Sequence, residues 1–433
     1  MRPTLPALSL SLAAALGMGP AGAANLGEIY QMARDNDAVY ASARQGFLAG
    51  QEALPQGKAL LRPTISLSGY LRQNDAETSA PSSANYGSRG YGLTLTQPIY
   101  RKQNLESFEQ AKLAVLLAEQ QLRLADQDLL LRVAQAYFDV LLAEDNLATT
   151  QAQKQAVAEQ LAQAKKSFEV GAATIVDTHE AQARYDLASA QEIAAGNDLE
   201  VKRRALEKLI AREAPTLSSL AAGAKIPQPT PNDMAAWVKQ AEDNNLAVLT
   251  AQTAQERARR EVELQRAGHY PTLDLAASYS DNRKTSLGTL DSKTGVVGLE
   301  LNLPLYQGGA VSSRVRQAVA NQEKARYDLD SARRQSALSA RQSYLGVVSG
   351  EAQVKALEQA LVSSESQLKS TKLGLEVGVR TRVDVLNAQQ LVYSTQRDLA
   401  SARYQTLLAG LQLKAAAGTL GVDDIKALDA LLK

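Results

Sequence analysis

The chain has 433 residues, no cysteine and two histidines, with 47 basic against 46 acidic side chains. That near-balance gives no whole-molecule field for nucleic acid or an acidic membrane surface, so no nucleic-acid partner is expected. The absent thiols exclude disulfide scaffolds, thiolate metal sites, iron–sulfur clusters, cysteine nucleophiles and a lipidated N-terminal cysteine.

In chain order, the first element is an export signal. Arg2 precedes the apolar stretch Leu5 to Met18 and the small residues Ala21-Gly22-Ala23, which predicts a signal peptide over 1–23 cleaved after Ala23. The apolar run is shorter than the ~20 residues of a spanning helix. Loss of Arg2 takes the basic count from 47 to 46, equal to the acidic count, so the mature chain has no net charge.

The rest of the chain is written twice. Val170-Gly171 recurs as Val377-Gly378, an offset of 378 − 171 = 207, and the same offset relates Thr174 to Thr381, Val176-Asp177 to Val383-Asp384 and Tyr137 to Tyr344. "YGLTLTQPIY" ending at Tyr100 matches "VGLELNLPLY" ending at Tyr306 (offset 206), and Pro63-Thr64 matches Pro271-Thr272 (offset 208). The predicted organisation is a first repeat over 24–213, a Pro-rich linker over 214–232, a second repeat over 233–420 and a C-terminal segment over 421–433. The linker, "APTLSSLAAGAKIPQPTPN", cannot hold a regular helix.

Each repeat reads helix, strand pair, long helix, Gly turn, helix. Period-two alternation predicts strands at about 63–73, 89–99, 271–281 and 295–305. In the first, Ile65, Leu67 and Leu71 share one face while Thr64, Ser66, Ser68 and Arg72 share the other. Strands of this length suit a tilted crossing of a bilayer, the reading favoured here, although alternation alone does not exclude a soluble sheet with one wetted face. The segments 74–88 and 282–295 read as exposed polar loops.

Long helices are predicted at about 103–169 and 309–374, each ~100 Å at 1.5 Å per residue, followed by helices at about 176–212 and 383–417. Apolar residues recur in sevens at Leu117, Leu124, Leu131 and Phe138, at Val354, Leu361, Leu368 and Leu375, and at Val385, Val392, Leu399 and Leu413. Ala388, Ala402, Ala409 and Ala416 make a small-residue seam, which implies close coiled-coil packing against other helices.

Four strands cannot close a barrel, and an open edge in hydrocarbon leaves backbone groups without partners. Closure therefore needs copies of the chain: two give eight strands and a filled interior, three give twelve and a wet one. The polar inner faces favour three. The class expected is mainly α with a membrane β-barrel: a homotrimeric channel-tunnel, with four strands per chain forming a 12-stranded barrel that a long helical coiled-coil barrel continues.

The element order, the duplication and particular motifs resemble the TolC family of bacterial outer-membrane efflux proteins. The motifs are "NLGEIYQMARDND", "LPLYQGG" at 303–309, and the turns "FEVGAATIVD" and "LEVGVRTRVDVLNAQ", and the resemblance covers residues 25–433. It implies a homotrimer in outer-membrane lipid with a periplasmic α-barrel and an equatorial belt. It also implies an exit duct that works with a periplasmic adaptor (a membrane fusion protein) and an inner-membrane ABC or RND-type transporter, in type I protein secretion or multidrug efflux.

The resemblance also gives roles to residues. Gly171 and Gly378 suit left-handed helix caps on chemistry alone; the family adds adaptor docking at Val170, Gly171, Ala172, Val377, Gly378 and Val379. Asp384 in a first helical turn compensates the helix dipole; the family makes it an aperture ring, with Asn387 where a second acid often stands. Arg380 occupies the position that locks the aperture, with Asp177 as its expected partner, while Leu375 replaces an aromatic lock residue. His179 and His269 read as polar surface residues rather than ligands. No cofactor, metal or catalytic residue is expected, since there is no G-x-S-x-G, P-loop or H-E-x-x-H motif. The alternative reading, a periplasmic adaptor or coiled-coil scaffold, accounts for long hairpins but not for membrane-length strands in duplicate.

Overall fold

The computed structural model describes residues 23–76, 84–172, 174–221, 223–283 and 291–433. The predicted signal peptide, Ala23 apart, lies outside them. The helices are α1 (Leu26–Asn36), α2 (Ala38–Gln51), α3 (Ala53–Ala59), α4 (Lys102–Glu169), α5 (Ile175–Ile210), α6 (Met234–Asn244), α7 (Leu246–Arg266), α8 (Ala310–Glu376), α9 (Arg382–Ala416) and α10 (Val422–Asp429). The strands are β1 (Thr64–Ala76), β2 (Ala84–Arg101), β3 (Thr272–Arg283) and β4 (Ser292–Asn302). No helix among the described residues is long and apolar enough to cross a membrane.

The strands form one antiparallel sheet in the order β1-β2-β3-β4. Its central pairing joins the two repeats, with Thr94 opposite Ser278 and Arg89 opposite Arg283. Within one chain β1 and β4 are edges. The alternation sorts the faces: Leu67, Leu71, Val297, Leu299 and Leu301 are exposed on one, while Ser66, Ser68, Thr94, Thr96, Ser278 and Ser280 lie on the other.

Strand limits differ from the periodicity in two instructive ways. β2 begins at Ala84, inside a stretch read as loop, because Asn74, Asp75 and their neighbours continue the ladder through backbone bonds that need no apolar side chain. β4 stops at Asn302 although Leu303 and Leu305 continue the alternation: Pro304 has no N–H to donate. Pro98 likewise sits at a bulge, where the register shifts between Pro98 and Tyr100. Just beyond it the Arg101 guanidinium forks onto Asp274, Nε to Oδ1 at 2.7 Å and Nη2 to Oδ2 at 2.6 Å. This bidentate pair pins the start of α4 to β3.

At 68 and 67 residues, α4 and α8 each run ~100 Å. The seven-residue seam of α9 is buried at Val385, Val392, Leu399 and Leu413, with Ala388, Ala402 and Ala416 beside it. On α4, by contrast, Leu117, Leu124 and Leu131 are only half-buried, as are Leu361, Leu368 and Leu375 on α8. One chain covers these stripes incompletely. Fully exposed apolar residues such as Leu187, Ile193 and Val201 on α5 point the same way.

The thick core is a belt at the middle of the long helices. There Leu129, Val133, Tyr137 and Phe138 of α4 pack with Leu26 and Ile29 of α1, Leu206 and Ile210 of α5, Leu407 and Leu411 of α9, and Ile425 of α10. The buried Tyr137 hydroxyl donates to Ser218 O at 2.7 Å and Ala24 O at 3.2 Å, tying α4 to the linker and to the start of the chain. Backbone bonds between Ser219 and Lys433 hold the linker to the C-terminus, and Gly27 N–H donates to Asp429. The first described residues, the C-terminal segment and the joint between the repeats thus meet in one place. At its edge, burial alone would raise the Asp37 carboxyl, but Arg132 and the Tyr40 N–H hold it below the usual range.

Candidate aperture at the hairpin tips

Far from the sheet, α4–α5 and α8–α9 each reverse over a few residues. The sequence makes both turns alike. Gly171 (φ 74°) and Gly378 (φ 80°) take the left-handed conformation that a side chain would strain. Ala172 N–H then donates to Ser167 O at 2.7 Å, and Val379 N–H to Gly374 O at 2.9 Å, closing the orphan carbonyls of the preceding helix. Val170, Val377 and Val379 stand at the apex with exposures of 78%, 66% and 75%. Four of the six residues expected to dock a partner, the three valines and Ala172, therefore present side chains to solvent, and the two glycines shape the turn beneath them.

Each following helix opens with a capping box. Thr174 Oγ1 accepts from Asp177 N–H at 3.3 Å while Asp177 Oδ2 accepts from Thr174 N–H at 2.9 Å. Thr381 and Asp384 repeat this at 3.2 and 2.9 Å. The Thr174 N–H, then its hydroxyl, hold the Asp177 carboxyl below the usual range, with a smaller contribution from Arg382; Thr381 and then Arg380 do the same for Asp384.

Within one chain these acids are engaged locally. Among the described residues Arg380 and Asp177 make no ion pair within one chain. An acid three residues after a threonine cap is taken by its own helix, and the arginine whose charge acts on Asp177 within the chain is Arg382. Arg380 instead folds back over the last turn of α8: a Cβ on Gly374 would stand 2.6 Å from its Cγ, so that buried glycine makes room for the arginine stem.

The hairpins are joined by other residues. On α5, Arg184 Nη2 donates to Asn387 Oδ1 at 2.9 Å and Nη1 to Gln390 Oε1 at 3.3 Å, while Glu180 steadies the guanidinium at 3.0 Å. Arg382 Nη2 donates to Ser167 Oγ at 2.6 Å. Farther from the tip, Tyr393 OH reaches Ala152 O and Arg397 reaches Gln153. Asn387, expected beside Asp384 in a ring, is therefore also the acceptor in a tie to the neighbouring hairpin. The hint in the sequence was a polar i, i+3 pair, Asn387 and Gln390, near the start of α9.

His179 and His269 are exposed, and among the described residues no cluster of three or more His, Cys, Asp or Glu side chains has the geometry of a metal site. Among the described residues nothing at the tips is arranged for covalent or acid–base chemistry. The arrangement holds two helical hairpins together through breakable polar contacts.

Fold, duplication and tips together define a class. The chain matches the family described as "Outer membrane efflux protein" twice, over residues 29–212 and 237–419, and belongs to that family. Within it the resemblance is to TolC: the outer membrane protein TolC of Vibrio cholerae is 35% identical over 98% of this chain and 98% of its own. The alkaline protease secretion protein AprF of Pseudomonas aeruginosa is 32% identical over 93% of this chain and 86% of its own. The fold is that of the Campylobacter jejuni CmeC outer membrane channel, with a TM-score of 0.80 at 16% identity over 100% of this chain and 98% of that one. The chain is a TolC-family outer-membrane exit duct with a periplasmic helical extension, and not an enzyme. The adaptor and scaffold reading falls with that assignment.

Proposed function

We propose that three copies form the duct, that the sheet closes as a 12-stranded barrel, and that the duct serves type I protein secretion. The observation that carries the trimer is the sheet itself. Its apolar face is exposed and its β1 and β4 edges are unpaired within the chain, an arrangement that hydrocarbon does not tolerate. The half-buried stripes on α4 and α8 supply the helical counterpart. Cleavage after Ala23 releases Ala24, whose N–H already donates to Thr216 O at 2.8 Å in the belt.

The polar contacts between hairpins act as the closure. Within a protomer, Arg184 to Asn387 and Gln390, and Arg382 to Ser167, hold the two coils together. The Arg380–Asp177 contact is one that neighbouring protomers make across their boundary. Three copies of Asp384 and Asn387 ring the aperture and favour cations. The exposed valines at the tips receive the periplasmic adaptor, and an inner-membrane ABC transporter supplies the energy. An RND-type pump with small-molecule cargo is the second reading, since the family description itself names efflux. Support for secretion comes from the relative named for alkaline protease secretion.

The test is the culture-supernatant proteome of a deletion strain beside its parent. Loss of one or a few large proteins, restored by the intact gene, is the expected result. An unchanged supernatant with new sensitivity to drugs and bile salts assigns the duct to small-molecule efflux instead.

A further inference from the structure

From the rim of the sheet's apolar face we infer a binding site for a phosphate-bearing lipid headgroup of the outer leaflet, formed by Arg89, Arg283 and Lys293. The inference rests on the outer-membrane placement and not on the cargo.

Strand parity and register put these residues together. Arg89 shares a face with Tyr91, Leu93 and Leu95, and Arg283 shares one with Asp281, Tyr279 and Ala277. Arg89 lies directly opposite Arg283, Tyr91 opposite Asp281, and Asp281 opposite Lys293. All of them therefore belong to the face whose lower rungs are Leu95, Val297 and Leu299. Like charges directly opposite each other on a sheet repel. A sequence that places two arginines in one such rung calls for an anion between or above them.

Among the described residues the chain supplies only part of it. Asp281, 6% exposed, accepts the Tyr91 hydroxyl at 3.3 Å and stands 3.7 Å from Arg283 Nε and 3.8 Å from Lys293 Nζ. Those two distances exceed hydrogen-bond length. The carboxylate thus offsets one charge of three without occupying the guanidinium donors, leaving +3 − 1 = +2 per chain. Arg89, Arg283 and Lys293 are all exposed.

Position selects a lipid over a dissolved anion. The cluster is at the end of the strands remote from the long helices, and these are periplasmic, so it lies in the outer leaflet. Beside and below it come Tyr91 and Tyr279, then the exposed Leu93, Val297 and Leu299 with the half-buried Leu95, an aromatic girdle followed by an apolar wall. A headgroup phosphate held by two guanidinium forks sets its acyl chains against that wall.

The test uses the purified full-length assembly in phosphatidylcholine nanodiscs doped with diphosphorylated lipid A or with its dephosphorylated form, and counts retained lipid A by native mass spectrometry. Wild type is expected to retain the diphosphorylated form at least ~10-fold better, and R89Q/R283Q to lose that preference. R89Q/R283Q is also expected to keep wild-type conductance, which separates this site from the duct. Equal retention of the two lipids by wild type overturns the inference without recourse to any variant, as does an undiminished preference in R89Q/R283Q or K293Q. Displacement of lipid A by millimolar inorganic phosphate overturns the lipid as occupant.

Discussion

The belt and the hairpin tips are built from the same long helices in opposite ways. At the belt α4 buries Leu129, Val133, Tyr137 and Phe138 against four other helices, and Tyr137 is wholly inaccessible. At the first tip the interior shrinks to Leu161, Ala164 and Ala181, while Val170 and Val176 face solvent. Large buried side chains fix one arrangement; small ones joined by exposed polar contacts permit several of similar energy. Stability is therefore concentrated at the belt and conformational freedom at the tips, which is what a duct that opens at one end requires.

The strongest way to break this comparison is at Tyr137. Tyr137→Ala removes a fully buried aromatic and is expected to destabilise the chain by about 3–5 kcal/mol. Tyr137→Phe strands the Ser218 carbonyl, while the Ala24 carbonyl keeps its bond from the Ser218 N–H, and is expected to cost about 1–3 kcal/mol. Both appear as lower melting temperatures of the assembly in detergent. Single-channel conductance of Tyr137→Phe stays at the wild-type value. If that variant opens the channel, stability and gating are not separable as argued.

Arg184→Ala is the converse experiment. It deletes the bonds to Asn387 and Gln390 in a half-exposed setting, so about 0.5–1 kcal/mol per chain is at stake. The open population should rise about two- to five-fold in planar-bilayer recordings, with no change in melting temperature. A fall in melting temperature without a change in conductance would make Arg184 a structural residue only.

Arg380→Ser sharpens the question of what crosses the protomer boundary. It is expected to raise conductance and sensitivity to large antibiotics, because it removes a tip arginine whose stem lies over Gly374 and whose guanidinium has no intrachain ion pair among the described residues. Unchanged conductance removes the Arg380–Asp177 contact from the closure.

How much of this was legible in the sequence follows from the range of each interaction. The duplication, the strands and the Gly turns are local or repeated patterns, and β1 to β4 and Gly171 and Gly378 lie where alternation and turn chemistry put them. Even there, Pro304 ended β4 against the alternation. The arginine ties were not legible: Arg184 and Asn387 are 203 positions apart, and their meeting depends on the register of two coiled coils. The capping role of Asp177 was legible but not drawn: its partner Thr174 is three residues away, and a threonine followed three residues later by an acid is a local capping pattern.

That local bond gives the clearest sign. Both cap carboxyls, Asp177 and Asp384, have their pKa lowered in the folded chain, chiefly by threonine N–H donors. A lowered carboxylate contributes stability that is complete above its unfolded value, 3.8, and is lost as pH falls through the lower folded value. The tips should therefore be indifferent to pH from neutrality down to about 4 and loosen only below it. A spin label at Val377 reports this as increased mobility confined to strong acid. Thr381→Ala, which removes one half of the box at a cost of about 1 kcal/mol, should produce the same mobility at neutral pH and flatten the acid response. Loosening at pH 5–6 would require a titrating group other than these caps, and the tip would then be a proton-responsive gate rather than a mechanically loosened one.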